Sequence, residues 1–146
     1  MSKFMSIAMI LLAACFVSPN AYSAGEVPPV RSAIEFQSQA LTQMVELPAV
    51  PQYTGQMTFV AGTYFPNAKS GGSYTMKLRS LEYKESVRDW YQAALLQTGW
   101  KIEKQMCNEH TVAAWKDQQL VQIIVTPPSH ERFRSDVIIR YRNGSN

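Results

Sequence analysis

One stretch constrains this chain more than any other. It is "KESVRDWYQAALLQTGWKIE", residues 84–103. Val87, Trp90, Tyr91, Ala94, Leu95 and Thr98 recur at the helical spacing that lines one face. Glu82 and Glu85 stand near the start, where the helix dipole favours negative charge. Gly99 follows the last periodic residue, the position where a left-handed stop is wanted. Immediately afterwards the period changes from helical to alternating, with Trp100 and Ile102 opposite Lys101 and Glu103. A helix over 84–98 that stops at a glycine and hands over to a strand is the expectation. Trp90 or Tyr91, with Val87 and Leu95, should face a core.

The flanking segments read as strands. "MTFVAGTYF", from Met57, is rich in β-branched and aromatic residues. "SYTMKLRS" alternates, with Tyr74, Met76 and Leu78 against Thr75, Lys77 and Arg79. Between them "PNAKSGG" is a loop that no helix follows, so its glycines form a turn and not a phosphate cradle. After the helix come "WKIEKQ", "TVAAWK", "LVQIIVT" and "DVIIRYR", separated by short polar turns and by the loop "PPSHERFRS". Val137, Ile139 and Tyr141 oppose Ile138, Arg140 and Arg142. The expected architecture is α+β. It is an antiparallel sheet of five or six strands in the order β-β-α-β-β-β-β, with one main helix packed on one face.

The N-terminus reads as a leader. "MSK" is short and positive, and the apolar run "FMSIAMILLAACFV" is too short to span a bilayer. Two cuts compete. "LAAC" ending at Cys15 has the character of a lipidation site, which would anchor the chain to a membrane. "AYS", Ala21 to Ser23, has the small residues of a cut that frees a soluble product. The apolar run continues past Cys15 into Phe16 and Val17, and Pro19 precedes the second site, so cleavage after Ser23 is favoured. The expected layout is a signal peptide over 1–23, a proline-bordered arm with a possible short helix over 24–56, and the α+β domain over 57–146. In the arm, Ile34, Leu41, Met44 and Val45 form a partly helical stripe. Intact mass and N-terminal sequencing of protein from its host should return a free Ala24. A blocked Cys15 carrying acyl mass would reverse the assignment.

Charge and cysteines narrow the function classes. Hydrophobic residues make up 46% and charged residues 17%, which fits a folded domain and not a disordered chain. A net charge of +3, of which Lys3 in the leader is one, does not point to nucleic acid. The two cysteines are Cys15 and Cys107. With Cys15 cleaved off or lipidated, Cys107 is a lone thiol, best read as a small buried hydrophobe.

No catalytic motif stands out. Cys107, Glu109, His110 and His130 are the nearest approach to a metal set, because "CNEH" has chelating spacing. A solvated histidine in a hairpin turn is the commoner reading. Cys107, His110 and Asp117 supply the types for nucleophilic catalysis, but a tight turn would point the first two apart. Glu85 and Asp89 should face solvent. Arg132, Arg134, Arg140 and Arg142 make the C-terminal hairpin basic, with Phe133 and Tyr141 among them. Such a patch suits acidic headgroups, an anionic glycan or an acidic partner, although the wet face of an edge strand is the commoner reading.

"YFPNAKSGGSYTMKLRS…ESVRDWYQAALLQTGWKIEK" resembles a loosely defined group of small exported bacterial domains. The matching positions are Pro66, Ala68, Val87, Trp90, Tyr91, Leu95, Gly99 and Trp100, within about residues 57–142. The resemblance implies a helix-over-sheet module of the kind found in envelope-assembly lipoproteins. It carries no catalytic residues. The functional expectation is a non-catalytic exported envelope module that binds an unidentified protein partner or aids assembly, without cofactor and with membrane contact only through a lipidated Cys15. The alternative is a small ligand or metal binder, or minor enzyme, working through the Cys107–His110 turn.

Overall fold

A computed structural model describes residues 37–66 and 71–144. The leader, both cleavage positions, Cys15, Ile34 and Ala68 lie outside the described residues. The elements in chain order are β1 (Gln39–Leu41), β2 (Met57–Phe65), β3 (Ser73–Ser80), α1 (Lys84–Gln97), β4 (Lys101–Ile102), a 3-10 turn (Lys104–Met106), β5 (Thr111–Lys116), β6 (Gln119–Thr126) and β7 (Ser135–Asn143). The strands form one antiparallel sheet in the order β1-β2-β3-β7-β6-β5-β4.

Seven strands stand where the sequence suggests five or six. The addition is β1, which pairs Gln39, Ala40 and Leu41 with Tyr64, Thr63 and Gly62 of β2. Its three residues lie inside the apolar stripe that reads as helical. Tertiary pairing with the free edge of β2 outweighs a weak local period. A second correction concerns the basic hairpin. β7 is an interior strand, not an edge, because all eight residues from Ser73 to Ser80 pair with Arg142 to Ser135.

Register lays the core out in rows across the inner face. Gly62, Met76, Ile139, Ile123 and Val112 form one row. Leu78, Val137 and Val125 form the next. Helix α1 buries Val87, Tyr91 and Leu95 against this face, as its spacing requires. Each such side chain contributes about 1.5–3 kcal/mol of burial.

The helix stop has a specific geometry. Gly99 has φ of 84°, its N–H donates to Leu96 O at 3.2 Å, and the Trp100 N–H donates to Leu95 O at 3.0 Å. This is the Schellman arrangement, in which the residue after the glycine turns back onto the helix. It drives the Trp100 side chain inward, where it is 2% exposed.

Candidate functional site

Residues 42–56 contain no strand or helix, yet they are not loose. They cross the inner face as a strap beside the helix. Leu47 belongs to the buried core, with Val45, Val50 and Tyr53 packed against it. A turn at Pro48 and Ala49 closes with Val50 N–H donating to Leu47 O at 3.2 Å.

Three polar contacts fasten the strap. The indole Nε1–H of Trp100 donates to Ala49 O at 2.9 Å. The Val45 N–H points at Met76 Sδ, 3.5 Å away. The Tyr53 hydroxyl hydrogen-bonds to the Glu82 carboxylate. Burial, then that bond and the negative charge of Glu82, push the Tyr53 hydroxyl well above its ordinary range, so it stays a donor at any working pH. The Tyr53 ring meets Trp90 edge-on at 4.9 Å and stacks on Tyr91 at 5.7 Å. Gly55 makes this approach feasible, because a Cβ there would collide with Glu82 and with the Tyr53 ring.

Ala49 has φ of 58°, a left-handed conformation that costs an L-residue roughly 1–2 kcal/mol. Its carbonyl is the acceptor of Trp100, which offsets that strain. Ala49→Gly should relieve it and raise unfolding stability by up to about 1 kcal/mol, read by denaturant titration. A loss of stability would mean that the strap does not need this turn.

Between strap and sheet a cleft of about 140 Å³ remains. Its roof is the strap, Met44 to Tyr53. Its floor is Met57 of β2, Met76 of β3, Ile139 of β7 and Tyr91 of the helix. Glu46 and Gln52 bring polar groups to it. The lining is otherwise apolar and rich in methionine, whose flexible thioether adapts to differently shaped occupants.

The residues singled out from the sequence lie elsewhere. Cys107 sits half-buried, with Sγ 3.3 Å from the Ala113 N–H and 3.7 Å from its carbonyl. His110 Nε2 is 3.1 Å from Glu109 Oε1. His130 Nδ1 accepts from the Arg132 N–H at 3.2 Å, and its ring meets Phe133 edge-on. Among the described residues no three His, Cys, Asp or Glu side chains gather as a metal site. Asp117 follows the far end of β5 from His110, roughly 20 Å away by strand length, so it cannot orient that histidine. Glu85 and Asp89 lie on the solvent side of α1, near Lys84 and Arg88 respectively.

The four arginines separate into two groups. Arg134 donates from Nη1 to the Tyr83 hydroxyl at 2.8 Å and stands over that ring at 4.9 Å. Arg132 lies in the β6–β7 loop. Arg140 and Arg142 project from β7 on the face opposite the helix.

The strap has only a faint signature in the sequence. Leu47, Val50 and Tyr53, recurring every three residues around Pro48 and Pro51, are the available signal. Such spacing in a segment without regular structure indicates packing, but not against what.

A family model described as START domain-like matches residues 55–136, more than half of the chain. The match overlaps the segment that carries the resemblance to helix-over-sheet domains. It holds most of the cleft floor, whereas the strap precedes it. No curated protein and no solved structure matches.

Proposed function

The chain belongs to the START domain-like family, and from that premise we propose a non-catalytic binding domain that takes a small apolar ligand between strap and sheet. One observation carries this reading, the apolar cleft roofed by the strap. Its volume sets the ligand's size. An apolar cavity of about 150 Å³ holds one benzene. The class is therefore a single ring or a short branched chain, with any polar group directed toward Glu46 and Gln52. The leader-like N-terminus supports an exported location for this activity.

The test is thermal unfolding with benzene, toluene and short-chain alcohols as probes. A probe at a hundred times its Kd should stabilise the fold by about 2.7 kcal/mol. Ile139→Phe, which fills the cleft floor, should abolish the effect while the protein remains folded. If no probe raises the melting temperature, the proposal fails. If the filled variant responds like the parent, the ligand binds elsewhere.

A second reading, docking of a protein partner, has one observation in its favour. Met44 lies at the cleft and is 46% exposed. A partner's apolar side chain inserted beside it would compete with toluene, and partner binding unaffected by toluene would remove this reading.

A further inference from the structure

The helix and the strap both lie on the inner face of the sheet. On the outer face, the β6–β7 loop closes over one end. There Asp136, 4% exposed, is flanked by Lys77 Nζ at 3.6 Å and Arg79 Nε at 3.5 Å. Arg79 also reaches Ser129 Oγ and stands over the Phe133 ring. Lys77, Arg79 and Asp136 are therefore committed to one another.

The other end of that face is different. Register places Arg140 between Thr75 and Gln122, and Arg142 between Ser73 and Leu120. Neither arginine forms an ion pair among the described residues, and both are exposed. The row through Arg142 runs Lys101, Trp115, Leu120, Arg142, Ser73, Phe65 across six strands. At about 4.8 Å per strand the row is roughly 24 Å long. Phe65 is 43% exposed, and Trp115 and Leu120 are half-buried. Two carboxylates lie two residues from this row, Asp117 in the β5–β6 turn and Glu103 after β4.

Cations interleaved with aromatic and aliphatic groups along an open sheet face match the interface of an anionic bilayer. Guanidinium groups meet lipid phosphates, while aromatic rings settle at headgroup depth. Two free arginines are too few for a polynucleotide, whose binding draws on many phosphate contacts. We propose that this end of the outer face docks on anionic phospholipid membranes, with Arg140 and Arg142 on headgroup phosphates and Phe65 and Trp115 inserted beside them. The proposal is independent of what the cleft on the inner face binds.

The test is co-sedimentation of the full chain with vesicles of phosphatidylcholine alone, and of phosphatidylcholine with roughly one third phosphatidylglycerol. The readout is the ratio of the two partition coefficients, which apolar contact by the N-terminal run does not move. The ratio should be well above one at low salt and fall toward one as salt screens the charges. The double variant R140Q/R142Q should lower anionic binding about thirtyfold, the factor expected for two basic residues at such a surface, with its melting temperature unchanged. Phe65→Ser should weaken binding to both vesicle types. A ratio near one for the parent overturns the proposal. So does a drop under twofold in R140Q/R142Q, or retention on an acidic polymer column without binding to vesicles.

Discussion

Replacing Trp100 with alanine should destabilise the protein by about 3–5 kcal/mol, the range for deleting a buried large aromatic side chain. Two losses combine in this variant. The indole leaves a cavity beneath the strap, and Ala49 O loses its donor while the residue keeps its left-handed strain. Trp100→Phe separates the two, because it retains much of the volume but not the N–H. Its cost should be smaller. In both variants the Val50 amide, which closes the strap's turn, should exchange faster with solvent than in the parent. Equilibrium denaturation and hydrogen exchange make these measurements. A loss below about 1 kcal/mol for Trp100→Ala would show that the indole does not anchor the strap.

Leu95→Ala should cost about 2–5 kcal/mol, since Leu95 is fully buried between the helix and the sheet. Leu96, its neighbour and 54% exposed, is the matched control. Leu96→Ala should change stability by under about half a kcal/mol. Comparable losses at both positions would mean that the helix presents a different face. Leu95 also supplies the carbonyl that accepts the Trp100 N–H, a bond that alanine preserves. The loss at Leu95 therefore reports packing alone, whereas the loss at Trp100 reports packing and attachment of the strap together.

How far these features could be read in advance depended on the range of the contacts involved. The helix was legible because Val87, Tyr91 and Leu95 state its period within one segment, and Gly99 states its end. Face assignment within β3 and β7 was legible for the same reason, since alternation is local. Arg140 and Arg142 could be placed on the wet face by parity. Parity does not tell which strand lies beside which, so the interior position of β7 was not available. β1 was missed because three residues are too few to override the helical spacing of Leu41, Met44 and Val45. The cleft was the least legible feature. It depends on Trp100 reaching Ala49, 51 positions earlier, and on Tyr53 reaching Glu82. Nothing local in "LPAVPQYTG" encodes either partner.

The edges of the sheet bear on how the protein survives at high concentration. An open seven-stranded sheet has two borders where another chain could add a strand. One is β4, only two residues long, and the other is β1, only three. Behind β1 lies β2, nine residues long, whose ladder with β3 is interrupted by a bulge between Phe59 and Ala61. A bulge twists an edge away from flat pairing. Together a stub and a bulge shield the longest strand near that border from self-association. Removing residues 39–41 would expose Thr63 and Tyr64 beside Phe65 as a continuous apolar-rich edge. The folded domain would then form dimers and fibres, although Leu41 is the one core-packed side chain lost.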